Sequence, residues 1–261
     1  MLHNESITAR YEGDLFYVPP ELSSNSIGEI DGLYSMVMEE KNEVYLIADK
    51  LGTKTIYYVP KSKLNEFTFS TSINELLSLT DKEIDILAIS DYLTFRTSLG
   101  NRTFFKDIKQ IPAGCYLKIS EGEYRLEKYW SIPFPKVRDI SLEKAVFIFE
   151  TLLKGIIRKN VGSSKKVALL LSGGIDSTVL AVALNELDIN FTAYTAHFCE
   201  EKYDELKFAE MVTDHLGVDH KVIYCTPEKY FQWLKELTRA KCLPVGQINE
   251  PIITCPKCGK L

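Results

Sequence analysis

Long apolar runs are missing. No stretch of about 18 apolar residues occurs in the 261-residue chain, and the opening Met1 to Asp14 has no cationic segment leading into an apolar core. Neither a membrane-spanning helix nor a secretion signal is expected, and a soluble, cytoplasmic protein is. Charge of one sign is equally scarce: 31 basic residues stand against 36 acidic ones, for a net charge of -5, and they form no stripe. Nothing therefore supports a nucleic-acid groove. Two familiar nucleotide signatures are also lacking, the Gly-Lys-Ser/Thr that ends a Walker A loop and the Gly-x-Gly-x-x-Gly of a dinucleotide fold. There is no internal repeat and no low-complexity segment. Without a secretion signal, the six cysteines (Cys115, Cys199, Cys225, Cys242, Cys255, Cys258) are expected as free thiols or metal ligands rather than disulfides. Cys115 and Cys225 lie in strand-like apolar runs, where a thiol behaves as a small hydrophobe.

What is present is enough to bury a core, with 45% hydrophobic residues and a length that suits one large or two medium domains. The first half reads as strands and turns: Gly32 to Met38, Glu43 to Asp49, Thr55 to Val59, Phe67 to Ser70 and Gly114 to Ile119 are rich in aromatic and β-branched residues and separated by breakers. Helical periodicity interrupts them at Ile73 to Leu79 and at Ile84 to Phe95, the second with Asp81 as its expected cap. That pattern predicts a largely antiparallel α+β region. Ser131 to Asp139 holds two prolines and reads as a linker, placing a domain boundary near residue 135. Beyond it helices and short apolar strands alternate. Helices are expected at Leu142 to Asn160, Asp176 to Leu187, Asp204 to Leu216 and Pro227 to Arg239, with strands at Val167 to Leu171, Phe191 to His197 and Lys221 to Cys225. This predicts a parallel sheet with right-handed crossovers, and an α/β class for the whole.

Ser172-Gly173-Gly174-Ile175-Asp176-Ser177 falls where a buried strand turns into a helix, the place at which parallel sheets bind ligands. Two glycines allow an anion close to the backbone, and the following helix N-terminus offers amides and the positive end of a dipole. Ser172, Ser177 and Thr178 add hydroxyls. Asp176 suits a site that also holds a cation, since carboxylate and polyphosphate would otherwise repel.

Leu171 to Ser177 resembles the Ser-Gly-Gly-Leu-Asp-Ser loop of the N-type ATP pyrophosphatases, among them asparagine synthetase, GMP synthetase, argininosuccinate synthetase, the β-lactam and lasso-peptide cyclases, the deazaguanine nitrile synthases and the tRNA thiolases. The flanks choose a branch. Tyr203-Asp204-Glu205, Phe208-Ala209, His215-Leu216-Gly217 through His220 and Thr226-Pro227-Glu228 resemble asparagine synthetase. Upstream, Asp31-Gly32-Leu33-Tyr34 and Ala48-Asp49-Lys50-Leu51-Gly52-Thr53-Lys54 through Tyr58 are similar to segments of that family's glutaminase domain. Phe69 to Ser72, Asp91 to Phe95, Thr103 to Ile108, Ile111 to Gly114 and Tyr129-Trp130 follow in family order.

The resemblance implies two domains. Residues 1–135 would be an incomplete Ntn-type, glutaminase-like domain, and residues 136–261 an ATP-pyrophosphatase (PP-loop, adenine-nucleotide α-hydrolase) domain incomplete at its C-terminal end. It implies activation of a carboxylate, aspartate in the nearest family, as an acyl-adenylate, with ATP and Mg2+ as cofactors. Ser172, Gly173, Gly174, Ile175, Asp176 and Ser177 would hold pyrophosphate and magnesium, Asp176 as the metal ligand, while Leu171 and Ala196 would contact adenosine. Two departures stand out. A working glutaminase of this class begins with a nucleophilic cysteine after the first methionine, and position 2 is Leu2, so no glutamine hydrolysis is expected. After Pro244 to Pro251 the family's Ser-Gly-Asp-Gly loop is missing, so the expectation is a shortened chain, or one completed in trans by a second subunit or in a homodimer. A non-catalytic ATP-binding subunit and a deazaguanine- or archaeosine-type tRNA-modifying amidotransferase are the alternatives.

Cys255-Pro256-Lys257-Cys258-Gly259 has the shape of a zinc knuckle that supplies two of four ligands, with Cys242 available as a third. His215 and His220 match turn positions and are expected to be structural. His197, at a strand end, is a candidate for the adenine side of the site.

Overall fold

The first unit is governed by alternation. Its elements are β1 (Leu2–Asn4), β2 (Ile7–Tyr17), a 3-10 turn (Ser24–Glu29), β3 (Asp31–Glu40), β4 (Glu43–Ala48), β5 (Tyr57–Val59), β6 (Thr68–Ser70), α1 (Ile73–Leu77), α2 (Ile86–Phe95), β7 (Lys109–Gln110), β8 (Cys115–Ser120) and β9 (Glu123–Lys128). In this computed structural model, which describes residues 2–4, 7–63, 65–134, 139–162, 166–198 and 205–245, they make a six-stranded antiparallel sheet, β1-β2-β3-β4-β8-β9, and a three-stranded sheet, β6-β5-β7. β4 shows why both faces of the large sheet are buried. Tyr45 and Ile47 join Ile7, Tyr34, Met36 and Met38 on one side, while Leu46 and Ala48 join Ile56, Tyr58, Ile111 and Leu117 on the other. Two tight hairpins set the register. Lys41 and Asn42 (φ 48° and 66°) and Glu121 and Gly122 (φ 52° and 81°) sit in left-handed backbone, the conformation two-residue hairpin turns demand.

The chain divides into Met1–Pro135 with Arg239–Gly246, and Lys136–Thr238 with Gln247–Leu261. Residues 239–245 thus pack with the first unit: Asn74 donates to the Ala240 carbonyl at 2.8 Å, Tyr92 to the Val245 carbonyl at 2.8 Å, and Leu243 lies against the Ile73–Leu76 cluster.

The second unit contains α3 (Leu142–Val161), β10 (Val167–Leu170), α4 (Ile175–Glu186), β11 (Phe191–Phe198), α5 (Leu206–Leu216), β12 (Asp219–Cys225) and α6 (Pro227–Lys241) as far as Thr238. Its three strands are parallel in the order β10-β11-β12, as the alternating pattern predicts. Leu169, Leu171, Phe191 and Ala193 from the strand segments pack with Ala181, Leu184 and Ala209 from the helices. α5 stops at Gly217, whose φ of 67° closes the helix in left-handed backbone.

One cap differs from the sequence expectation. Asp81 does not start α2; it forms an exposed ion pair with Lys63 at 3.0 Å. Asp85 is the cap, accepting from the Leu87 and Ala88 amides at 3.0 and 3.4 Å. Ile84 instead makes a β-bridge with Phe105, which holds the chain extended and delays the helix. Asp85→Ala is expected to cost about 1 kcal/mol, read as a lower denaturant midpoint. No helix among the described residues is long and apolar enough to cross a membrane.

Candidate functional site

The loop between β10 and α4 joins an apolar strand to a helix that lacks a side-chain cap. α2 is capped by Asp85 and α3 by Ser141. α4 instead has Gly174 at its cap position, which can offer no side-chain acceptor. The first amides of a helix have no partner within it, so those of Ile175, Asp176 and Ser177 face outward at the positive end of the helix dipole. Asp176 and Gly174 are exposed, and Ile175 is 82% exposed.

The serines hold the loop rather than cap the helix. Ser172 Oγ accepts from the Gly174 amide at 3.2 Å and lies 3.2 Å from Ser177 Oγ. Ser177 Oγ also accepts from the Ser172 amide at 3.3 Å and lies 3.2 Å from the Gly174 carbonyl. These four contacts close a small ring of backbone and hydroxyl groups around the turn. Thr178 Oγ1 is buried with no hydrogen-bond partner.

The two glycines play different parts. The sequence suggests that both clear space for an anion. Gly173 has φ 73°, and a Cβ there would come within 2.4 Å of Phe208 Cβ, 2.6 Å of the Phe208 carbonyl carbon and 2.7 Å of the Ala209 amide. Its bare side therefore faces the first turn of α5, and glycine is required by the fold itself. Gly174 has φ -70°, and its Cβ would meet only Ser172 Oγ, at 3.2 Å.

Leu171 is 2% exposed with its side chain in the core of the second unit. Its amide donates to the Tyr194 carbonyl at 2.9 Å. Ala196 is half-buried on β11, two residues past the last β10–β11 pair at Leu170 and Tyr194, and so lies at the same end of the sheet as the loop. His197 packs edge-on against Tyr224, ring centres 5.3 Å apart. Sequence reasoning missed the supports of the loop: Phe208, Thr195 and His220. Thr195 is the one with a visible signal, a polar residue at an inward position of an apolar strand.

The remaining candidates lie elsewhere. Cys255 and Cys258 are outside the described residues, as are Cys199, Tyr203 and Asp204. Cys242 Sγ approaches Asn74 Oδ1 at 2.7 Å. No group of three or more His, Cys, Asp or Glu side chains arranged for a metal occurs among the described residues. Cys115 is buried, and burial pushes its thiol above the ordinary range.

Comparison with known proteins accounts for both units. Residues 18–130 match the glutamine amidotransferase domain family and residues 149–255 the asparagine synthase family. Asparagine synthetase (glutamine-hydrolyzing) 1 of Bacillus subtilis strain 168 is 22% identical over 214 residues, covering 80% of this chain and 33% of the relative. Asparagine synthetase (glutamine-hydrolyzing) 2 of the same organism is 26% identical over 248 residues, covering 85% of this chain and 32% of the relative. The Gallus gallus enzyme is 27% identical over 100 residues, 37% of this chain and 18% of its own length. The chain spans about a third of the length of the two bacterial relatives. A glutamine amidotransferase match followed by an asparagine synthase match, with asparagine synthetases 22–26% identical over most of the chain, supports a divergent member of the asparagine synthetase family.

Proposed function

We propose that this chain carries the nucleotide site of an ATP-dependent amidotransferase or amide ligase that activates a carboxylate by adenylation, releasing pyrophosphate. The observation that carries the reading is the uncapped N-terminus of α4. A helix left to itself is best served there by Ser, Thr, Asp or Asn. A glycine at that position keeps the amides and the approach to them free for a polyphosphate. In this reading the amides at 173–177 and the hydroxyls of Ser172 and Ser177 hold pyrophosphate, and the exposed Asp176 carboxylate, a hard oxygen donor, holds Mg2+. The half-buried Ala196 takes the adenosine side, and Leu171 acts through its main chain. Catalysis of this kind is largely positioning and neutralisation of charge on the phosphate. The acceptor is a small carboxylate, aspartate if this chain follows its relatives. Zinc at Cys255 and Cys258 remains a proposal from the spacing of two thiolates.

Calorimetry with ATP and Mg2+ tests the reading. The wild-type chain is expected to bind one ATP, and Asp176→Ala to weaken the magnesium-dependent part about tenfold, the equivalent of one charge-assisted contact. Gly174→Asp supplies the missing cap and sets a negative charge where the phosphate would lie. It is expected to leave stability within about 1 kcal/mol or raise it, while abolishing ATP binding. Undiminished binding by Gly174→Asp would sink the proposal.

A further inference from the structure

The loop leaves the sheet at Leu171, and a chain of two buried hydroxyls and one half-buried imidazole meets it there. The β10–β11 ladder ends at Leu170 opposite Tyr194. One residue later the Leu171 carbonyl accepts a side-chain hydrogen bond, from Thr195 Oγ1 at 2.7 Å. Thr195 is 2% exposed. A threonine hydroxyl has one proton to give, and this one goes to Leu171. The 2.8 Å contact between Thr195 Oγ1 and His220 Nε2 therefore has the imidazole as donor, which assigns the Nε2–H tautomer from the hydrogen-bond pattern. On its other side, His220 Nδ1 lies 3.4 Å from Thr213 Oγ1. Thr213 is 3% exposed on α5 and donates to the Glu210 carbonyl at 3.1 Å. α5 is also the helix whose first turn abuts Gly173. The loop is thus braced twice, at Leu171 through Thr195 and His220 and at Gly173 directly, and both braces lead to α5.

We propose that His220 is a positioning residue of the phosphate loop. By donating to Thr195 it locks the hydroxyl that latches the Leu171 carbonyl, and so sets the direction in which the amides at 173–177 point. The role of these residues in nucleotide binding rests on the proposed function above; the bracing of the loop does not. Without the imidazole, the oxygen of Thr195 has a buried acceptor site unfilled and its rotamer is no longer held, and a buried network loses more than one contact when a member is removed. His220→Gln can return an amide donor near the Nε2 position, whereas His220→Ala cannot. Thr195→Val keeps the shape of the side chain and removes the hydroxyl.

Two readouts on the same variants decide the matter: amide hydrogen exchange of residues 172–177 without ligand, and the Kd for ATP with Mg2+. His220→Ala and Thr195→Val are each expected to speed loop exchange and to raise Kd about tenfold, the size of one buried hydrogen bond. The double variant is expected to be no worse than the worse single one, because both act on one chain of contacts. His220→Gln should recover to within about threefold of wild type, a partial rescue by the remaining donor. Unchanged loop exchange in both His220→Ala and Thr195→Val would overturn the proposal. So would exchange that rises equally across β11 and β12, since His220 would then support the core at large, and so would additive effects in the double variant. If His220→Ala does not fold, Thr195→Val and His220→Gln carry the same comparison. A wild type that fails to bind ATP while its loop exchange responds as expected would remove the nucleotide reading and leave the bracing intact. Intact binding with an indifferent loop would do the reverse.

Discussion

Gly173→Val is expected to destabilise the second unit by about 3 kcal/mol or more, the sum of a left-handed backbone forced on a β-branched residue and a clash with fixed atoms. The φ of 73° supplies the first cost, and contacts of 2.4 to 2.7 Å to Phe208 and Ala209 supply the second. Two of the three atoms belong to the backbone of α5, which cannot move aside by a change of rotamer. Since whole domains are stable by only about 5–15 kcal/mol, much of the variant should be unfolded or poorly expressed. Loss of ATP binding in Gly173→Val therefore says nothing about the anion, whereas Gly174→Asp isolates it. The chain has two tryptophans, Trp130 in the first unit and Trp233 in the second. Denaturation followed by fluorescence in Trp130→Phe and Trp233→Phe backgrounds reads the units separately. The Gly173→Val loss should appear in the Trp233 signal; an unshifted Trp233 transition would show that α5 does not pack against the loop as described.

Asp49→Ala should be the corresponding break in the first unit. Asp49 is fully buried (0% exposed) at the end of β4, and its carboxylate accepts from the amides of Tyr34, Leu51, Thr53 and Lys54 at 3.2, 2.8, 3.0 and 3.3 Å. The Thr53 hydroxyl joins them at 2.5 Å. A carboxylate can accept several donors at once, and here it folds the 49–54 turn back on β3. Alanine leaves these donors without their acceptor, at about 1–3 kcal/mol for each one that stays buried. The expected loss is about 4 kcal/mol or more, in the Trp130 signal, with Asp49→Asn falling between because one oxygen acceptor remains. Lys63→Ala, which breaks the exposed pair with Asp81, should cost less than about 0.5 kcal/mol. Equal effects from Asp49→Ala and Lys63→Ala would contradict the role given to the buried carboxylate.

How far the sequence could be read depended on whether a residue's reason lay nearby in the chain. β3, β4, β8 and the strands of the second unit are marked by their own apolar residues and breakers. β9 was not placed, because all six of its residues are exposed and it is held by pairing with β8 rather than by burial. β2 was not placed either; its middle residues are exposed, so no clean alternation marks it. The loop from Ser172 to Ser177 is compact in sequence and legible as a motif, yet the reason for Gly173 is not, because Phe208 arrives from 35 residues away. Thr195 and His220 were hidden for the same reason. They meet Leu171 only because three parallel strands follow one another in register. Asp85 shows the local limit. Asp81 and Asp85 precede the same apolar run, and only the bridge from Ile84 to Phe105 decides which one caps the helix.

The central proposal places polyphosphate at the loop from Ser172 to Ser177. Backbone amide chemical shifts, followed as ATP with Mg2+ and then pyrophosphate with Mg2+ are added, test this most directly. Both ligands are expected to move the amides of Gly173 through Ser177 most, with ATP alone also moving residues at the C-terminal end of β11 around Ala196. In Gly174→Asp the same additions should leave those amides where they were. Shifts that fall on other surfaces, or loop amides that ignore both ligands in the folded wild-type chain, would contradict the central claim.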